Sequence, residues 1–269
     1  MSNPSNKQNE KGGESGADFE KTRLQLLQQS LDSLTIRRLE KLGVQPGWHC
    51  LEVGAGVGSI AHWLAERVGR EGRIVATDID TRFLDNTDEP NLEIRHHNIL
   101  VDDVEQGSYD LAHSRAVLMH LADPDLAVSN MATAVRPGGW LLLEEFDWLS
   151  FGAIDTTNPT FQTFNQKMET LAKTLQNFHI LDLYLGRHLR RLLEQVGFRE
   201  IGNAGITGIS RGGDVSTHFL LMTLQVAGPP LVSAGVLTEL DITLLQRPLT
   251  DPSFYYIDVV NFGVWGKLP

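Results

Sequence analysis

A glycine-rich segment near the start of the chain limits the possible folds more than any other feature. An apolar run ends in Glu52, and then three glycines, Gly54, Gly56 and Gly58, stand on alternate residues. Apolar residues at helical spacing follow directly, and Gly69 stands where such a helix would end. This order predicts a strand, a glycine turn and a helix, which form the first unit of an α/β fold that binds nucleotide-like ligands.

The residues around the turn indicate what kind of ligand it accepts. The dinucleotide fingerprint G-x-G-x-x-G is absent, because Ser59 stands where the third glycine is required. The nearby polar residues are the acids Glu52, Asp78 and Asp80, whereas a phosphate site favours positive charge. Asp78 ends a second predicted strand, Arg73–Asp78, and an acid there can bind both hydroxyls of a ribose. The pattern therefore fits S-adenosylmethionine, an adenosyl ligand with positive charge and no phosphate.

Four motifs, in this order and at this spacing, resemble those of class I S-adenosylmethionine-dependent methyltransferases. They are Glu-Val-Gly-Ala-Gly-Val-Gly58, Ala-Thr-Asp78-Ile-Asp80, Tyr109-Asp-Leu-Ala-His-Ser114 and Arg136-Pro-Gly-Gly139. The chain is similar to bacterial enzymes that act on small molecules, including the ubiquinone-type C-methyltransferases. The resemblance implies a Rossmann-like α/β fold. We expect a seven-stranded, mostly parallel sheet with helices on both faces, an antiparallel last strand and a helical lid insertion.

The same resemblance implies a set of cofactor-binding residues. Asn98 takes the place of the residue, commonly aspartate in the family, that bonds the adenine amino group, and Ile99 would lie beside the ring. Ser114 and Arg115 follow the predicted fourth strand, Ser108–His113, at the edge where α/β sheets bind ligands. The expected cofactor site comprises Glu52, Gly54, Ala55, Gly56, Gly58, Asp78, Ile79, Asn98, Ile99, Ser114 and Arg115.

We predict one domain over residues 18–269, preceded by a disordered tail over residues 1–17, which have nothing to bury. A helix over 18–43 either covers the cofactor, as N-terminal helices often do in the family, or packs on the sheet edge. Helical insertions over 151–185 and 213–250 are expected to form the lid. Within the second, Gly228-Pro-Pro230 should divide one helix from the next, and Phe254–Trp265 should form the last strand.

Charge and composition restrict the partners. The net charge of −11 opposes binding to nucleic acid or to an anionic membrane. The single cysteine, Cys50, cannot form an internal disulfide, and no signal peptide or transmembrane run is evident, so a cytoplasmic location is expected. We expect a small-molecule substrate as the partner. The oligomeric state, including a homodimer, stays open.

Methyl transfer from a sulfonium depends mainly on aligning the nucleophile, the methyl group and the sulfur, so no residue type is obligatory. His120 is the candidate general base, because it follows the fourth strand and an imidazole titrates in the useful range. The alternative is that His120 only packs. Trp148, Phe178 and Tyr184 are candidate substrate contacts. No His, Asp and Glu set has convincing metal-ligand spacing, so no metal is expected.

These observations leave more than one function open. The leading hypothesis is a methyltransferase acting on an apolar or aromatic small molecule, such as a natural product or a quinone. The main alternative is a cyclase or isomerase that retains S-adenosylmethionine as a structural or electrostatic cofactor. A binding protein with a degenerate site and a nicotinamide oxidoreductase fit the intact glycine turn and its acids less well. The mass of the product separates the first two.

Overall fold

The structure is a computed structural model that describes residues 16–84 and 89–269, and it contains two β-sheets with helices around them. The strands are β1 His49–Val53, β2 Arg73–Asp78, β3 Leu92–His96, β4 Tyr109–Arg115, β5 Val135–Asp147, β6 Gly152–Ala153, β7 Arg199–Ile206, β8 Ile209–Arg211, β9 Tyr255–Ile257 and β10 Val260–Lys267. The α-helices are α1 Gly16–Leu42, α2 Ser59–Val68, α3 Pro124–Ala134, α4 Pro159–Asn177, α5 Leu189–Gln195, α6 Val215–Ser233 and α7 Glu239–Leu249.

The larger sheet has the strand order β3-β2-β1-β4-β5-β10-β7. Strands β1 to β5 pair in parallel, whereas β10 is antiparallel to both β5 and β7. This arrangement confirms the predicted Rossmann-like sheet of seven strands with an antiparallel last strand. The strand order reverses between β1 and β4, and ligands of open α/β sheets bind at the carboxyl ends of strands at such a point.

The central strands are buried on both faces, as parallel strands between two helical layers must be. Leu51 and Val53 of β1 pack in one apolar cluster with residues of α3 and α5. Cys50, on the opposite face of the same strand, packs in a second cluster with α2 and the C-terminal part of α1. Helices therefore cover both faces of the sheet, as predicted.

Helix α1 begins at Gly16 and ends at Leu42, close to the predicted range of 18–43. Its C-terminal half is anchored in the core by Leu31, Leu39 and Leu42. The buried polar residues Thr35 and Arg38 of the same half contact the sheet. Residues 1–15 of the predicted tail lie outside the described residues.

The expected break at Gly228-Pro229-Pro230 is wrong, because α6 runs through it from Val215 to Ser233. The ring of a proline normally clashes with the Cβ of the preceding residue in helical geometry, and Gly228, which precedes Pro229, has no Cβ. Gly228 is also buried, and an added Cβ would lie 2.9 Å from Cδ1 of Ile242 in α7. Close packing of two helices thus accounts for the glycine.

Helix α6 has a length and an apolar composition that would allow it to cross a membrane, a finding that applies to it alone among the described helices. Only 11% of the most apolar 18-residue stretch of α6 is buried inside the protein. Core helices of water-soluble proteins pass the same test, so this is weak support for a membrane span. Here α6 packs against α1 and α7.

The predicted last strand, Phe254–Trp265, is divided in the structure. Its first part, β9, leaves the main sheet and lies between β6 and β8 in a second, three-stranded sheet. The cause is an aromatic cluster: the ring of Phe254 lies 4.9 Å from that of Phe161 and 5.0 Å from that of Phe164, both on α4. The apolar stripe of α4 therefore forms core beneath this small sheet.

Candidate active site

The glycine turn after β1 has the backbone geometry that explains its residues. Gly54, Gly56 and Gly58 have φ angles of 73°, 61° and 90°, which side chains disfavour. A Cβ on Gly54 would collide with the side chain of Val117, so the turn packs directly on the segment after β4. A Cβ on Gly56 would have only Nε2 of Gln28 nearby, at 3.9 Å, and would enter open space beside the turn.

Asp78, at the end of β2, is bonded to the turn. Its Oδ2 accepts a hydrogen bond of 2.9 Å from the backbone N–H of Gly56, and its Oδ1 accepts one of 2.9 Å from Asp80. Each carboxylate oxygen keeps a further acceptor position. The acid is thus held in place and still able to accept hydrogen bonds from a ligand.

A cavity of about 370 Å³ opens beside this pair, and we name it the first cavity. Ten residues singled out from the sequence line it: Glu52, Gly54, Ala55, Gly56, Asp78, Ile79, Asn98, Ile99, Arg115 and His120. Strand ends bring them together, since β1, β2, β3 and β4 are neighbours whose carboxyl ends meet at this edge. Their contact with a bound cofactor stays a prediction.

Two of the predicted cofactor residues do not line the first cavity. Gly58 shapes the turn, because its N–H bonds the carbonyl of Ala55 at 2.9 Å and it precedes the first residue of α2. Ser114 was expected just past the fourth strand, but β4 continues to Arg115 and buries Ser114 inside the sheet. The strand ends two residues later than the predicted His113, which accounts for the difference.

Other residues of the first cavity were missed. Glu20, Leu24, Leu27 and Gln28 of α1 form one of its walls, at helical spacing that places them on one face. The N-terminal half of the helix therefore borders the cavity, and its contact with a bound cofactor stays a prediction. Asp80, already noted as an acid near the turn, also lines the cavity, as do Phe83, His97, Ala116, Val117 and Leu121.

His97 is the missed residue with the clearest chemical signal. It is buried directly before Asn98, and its Nδ1 has no hydrogen-bond partner. Its Nε2 lies 3.3 Å from the carbonyl of Asp103. An unpaired ring nitrogen in a buried position is costly unless a ligand satisfies it.

The first cavity fits S-adenosylmethionine. The turn leaves open space at Gly56, Asp78 can bond the ribose hydroxyls, and the orphaned Nδ1 of His97 lies near Asn98, where the adenine is expected. The acids Glu20, Glu52, Asp78 and Asp80 line the cavity. Their negative charge matches a ligand that carries an ammonium and a sulfonium.

A buried charge network lies beneath the cavity. His113 Nδ1 is 2.6 Å from Oε2 of Glu52, and its Nε2 is 3.4 Å from Oε2 of Glu144. Burial opposes protonation, but the two carboxylates outweigh it and raise the pKa of His113 to about 9. Glu144 also accepts hydrogen bonds from Arg38 and Thr35 of α1. His113 first, and then Arg38 and Thr35, outweigh its burial and lower the pKa of Glu144 to about 2.

A second set of polar contacts joins α1 to the glycine turn. Asp32 Oδ1 accepts hydrogen bonds of 2.9 Å from both Ser59 Oγ and Arg115 Nη2. Arg115 also donates to Oγ1 of Thr35 at 2.9 Å. The C-terminal half of α1 is therefore fixed to the sheet on the side where its N-terminal half borders the cavity.

His120 ends a short 3-10 helix, Leu118–His120, at the solvent-exposed rim of the first cavity. Partial burial of the imidazole and the positive charge of Arg23 lower its pKa below the ordinary value. The carboxyl of Glu145 holds this segment, because its Oε1 accepts from the N–H groups of Val117 and Leu118 at 3.0 and 2.7 Å. Burial raises the pKa of Glu145 to about 8, and its Oε2 has no partner.

A second cavity of about 260 Å³ lies further along α1, and Leu27 lines both cavities. Its walls come from α1, the end of β5, the region after β7, α6 and the start of β10. Most lining side chains are apolar, and Trp148 is among them. The polar members include Thr207, Ser216, Asp258 and Asn261.

Two predicted substrate residues lie elsewhere. Phe178 follows the last residue of α4 with 69% of its surface exposed, and Tyr184 packs beside the guanidinium of Arg187, 5.3 Å from its ring centre. Neither lines the first or the second cavity. The 151–185 insertion does not border either cavity, because its apolar stripe is turned to the aromatic core. Helix α1 forms part of the wall of both cavities, and α6 forms part of the wall of the second.

Within residues 16–84 and 89–269, no group of three or more His, Cys, Asp or Glu side chains is placed to hold a metal ion.

Comparison with known proteins identifies the family. A methyltransferase-domain family model matches residues 23–201. An uncharacterised 37.1 kDa protein from a transposon of Streptomyces fradiae is 30% identical over 207 residues, which make up 75% of this chain and 57% of that protein. The chain thus spans little more than half of that relative's length.

One further relative by sequence and one solved structure are also similar to the chain. A ubiquinone/menaquinone biosynthesis C-methyltransferase of Pseudoalteromonas translucida is 24% identical over 65% of this chain and 74% of its own length. The crystal structure of the [4+2]-cyclase SpnF shares the fold, with a TM-score of 0.56 and 16% identity over 90% of this chain and 83% of that one. The chain belongs to the class I family of S-adenosylmethionine-dependent methyltransferases.

Proposed function

We propose that this domain transfers a methyl group from S-adenosylmethionine to an apolar or aromatic small molecule bound in the second cavity. The observation that carries the proposal is the hydrogen bond between Gly56 and Asp78. It holds a carboxylate beside the glycine turn, where the ribose hydroxyls of an adenosyl group would bind. The cofactor, when bound, supplies an electrophilic methyl group on a positively charged sulfur.

The second cavity favours an apolar acceptor. Leu31, Phe146, Phe219 and Leu220 are among its walls, which carry little charge. Because Leu27 borders both cavities, an acceptor in the second would lie next to a cofactor in the first. Such placement would serve the alignment of nucleophile and methyl group on which the rate mainly depends.

His120, at the rim of the first cavity, is proposed as the general base for a hydroxyl or ammonium of the acceptor that reaches from the second cavity to the cofactor. Its lowered pKa keeps the imidazole neutral at pH 7, the form that accepts a proton. Glu145 would fix its position by holding the N–H groups of Val117 and Leu118. A positioned base contributes about a hundredfold to ten-thousandfold in rate.

Calorimetry tests the cofactor assignment. S-adenosylhomocysteine should bind in the micromolar range, about −8 kcal/mol, and NAD far more weakly. Tight binding of NAD without binding of S-adenosylhomocysteine would contradict the proposal.

Product analysis tests the reaction. With S-adenosylmethionine and a panel of hydroxylated and amino aromatic acceptors, mass spectrometry should detect a product one methyl group heavier, together with S-adenosylhomocysteine. A product of unchanged mass, with no S-adenosylhomocysteine released, would instead indicate the cyclase or isomerase alternative.

A further inference from the structure

Resting on the proposed function, we infer that the acceptor carries a hydrogen-bond donor, a hydroxyl or an amine, on an otherwise apolar body. Asp258 and Trp148 bind this polar group in the second cavity, and molecules with an anionic group there are rejected. The inference is based on three properties of the cavity: a fixed carboxyl, an unpaired donor and the absence of any positive side chain among the described residues that line it.

Asp258 is held rigidly at the wall of the cavity. Its backbone N–H donates to the carbonyl of Gly208 at 3.0 Å, and its carbonyl accepts from Oγ1 of Thr207 at 2.7 Å. Its carboxyl accepts from the N–H of Val259 at 2.8 Å and from Oγ of Ser210 at 2.9 Å. A carboxylate has about four acceptor positions, so these contacts orient the group without saturating it.

No cationic side chain among the described residues that line the second cavity is available to pair with Asp258. Asp258 is the one ionisable side chain among the described residues lining the second cavity. Burial raises the pKa of Asp258, although Val259, Ser210 and Ser216 donate hydrogen bonds to it. A ligand that donates a hydrogen bond, or carries positive charge, would therefore stabilise the ionised form.

Trp148 offers the complementary group. Its indole Nε1 is buried and has no hydrogen-bond partner, while its ring packs on Phe151 with centroids 4.8 Å apart. The indole N–H is a donor only, so it requires an acceptor atom from the ligand. A hydroxyl can both donate to Asp258 and accept from Trp148, whereas an ammonium, which has no free lone pair, can only donate to Asp258.

An anionic acceptor meets the opposite situation. A carboxylate or phosphate in this cavity would face Asp258 with no arginine, lysine or histidine among the described lining residues to offset the repulsion. The nearby guanidinium of Arg38 is already bonded to Glu144 and Asn261. Like charges at close range in a partly buried site disfavour binding.

Binding of three probes on one aromatic body tests the inference. They are 2-naphthol, 2-naphthalenemethylamine and 2-naphthoate, titrated calorimetrically into protein saturated with S-adenosylhomocysteine. Naphthol and the amine should bind at least about tenfold more tightly than naphthoate, the scale of one hydrogen bond to a charged group. The stronger of the first two identifies the polar group held in the second cavity as a hydroxyl or an amine.

Two variants test which side chains discriminate. Asp258→Asn should weaken the amine most and reduce the discrimination against naphthoate by about tenfold. Trp148→Phe should weaken naphthol by about threefold to tenfold. Glu71→Gln, which removes an exposed acid in the turn after α2, is the control and should leave all three affinities unchanged.

Failure can be assigned to one proposal or the other. Absence of S-adenosylhomocysteine binding would contradict the proposed function itself. If that ligand binds, the inference is overturned when naphthoate binds as well as the other probes, when no probe binds, or when a folded Asp258→Asn keeps the wild-type ranking. The wild-type ranking alone suffices if either variant fails to fold.

Discussion

The backbone N–H of Gly56 donates a hydrogen bond of 2.9 Å to Oδ2 of Asp78, which joins the glycine turn to the end of the neighbouring strand. The bond means that the two motifs act as one unit. A change at Asp78 would remove the proposed contact to the ribose and would also loosen the glycine turn.

Asp78→Ala should therefore weaken binding of S-adenosylhomocysteine by about 1.5–3 kcal/mol, the range for hydrogen bonds to a charged group. Asp78→Asn keeps an oxygen acceptor for Gly56 and should lose less. Calorimetry of both variants gives the comparison, with Glu71→Gln as the control. Equal affinity in wild type and Asp78→Ala would show that the ribose binds elsewhere.

Alanine at two neighbouring glycines should have different effects. Gly56→Ala places a methyl group in open space beside the turn, so ligand affinity should fall at least about tenfold while a modest strain near 1 kcal/mol is added. Gly54→Ala instead collides with Val117 and should lower the melting temperature more. Thermal melts and calorimetry of both variants check this. A Gly56→Ala protein with normal affinity would contradict the placement of the cavity.

His120 provides a test of base catalysis through pH. Its pKa is lowered by partial burial and by Arg23, so the Arg23→Gln variant should titrate His120 at higher pH in an NMR experiment. The methyl-transfer rate should rise with pH through the same midpoint and shift with it in this variant. His120→Asn should keep cofactor affinity and lose about a hundredfold or more in single-turnover rate.

A packing role for His120 would give a different result. The His120→Asn variant would then melt at lower temperature and retain a near-normal single-turnover rate. The midpoint at which the methyl-transfer rate rises with pH would also be unchanged when Arg23 is replaced.

Glu145 should make the stability fall as pH rises. Its pKa is about 8 in the folded protein against 4.5 ordinarily, so its contribution is full below pH 4.5 and is lost as pH rises through 8. The free energy of unfolding can fall by up to about 1.36 kcal/mol per pH unit in this range. Glu145→Gln keeps an oxygen for Val117 and Leu118 and removes the ionisation, so its stability relative to wild type should increase across this window.

Urea unfolding at intervals from pH 4.5 to pH 9 measures the difference. His113 adds its own loss of stability between its ordinary pKa of 6.5 and about 9, but it does so in both proteins and cancels in the comparison. Parallel stability curves for Glu145→Gln and wild type would show that Glu145 does not stay protonated on folding.

The sequence allowed the first cavity to be predicted because its groups lie within short, regular segments. Glu52 and Asp78 lie in the last residues of β1 and β2, the glycines follow β1 directly, and parallel strands place such ends together. Only local details differed, as at Ser114, where β4 extends further than expected. His97 was missed because an unpaired ring nitrogen is a property of the folded state.

The second cavity could not be predicted in the same way. Its walls come from α1, α6 and the chain around Asp258, which are far apart in sequence and meet only through tertiary packing. Phe178 and Tyr184 looked suitable because apolar residues that line a pocket and those that form core have the same spacing. The apolar stripe of α4 packs on Phe254 as core, whereas Phe178 lies exposed, and the spacing of apolar residues does not distinguish these environments.

Leu27 is part of the wall of both cavities. A shared wall makes the two binding equilibria thermodynamically linked whenever either ligand displaces it. If the cofactor moves Leu27 so that the acceptor binds more tightly by some factor, the acceptor must tighten cofactor binding by that same factor. Residues of α1 that touch neither ligand, including those that anchor it to Glu144, would then determine the size of this cooperativity by setting how far the helix can shift.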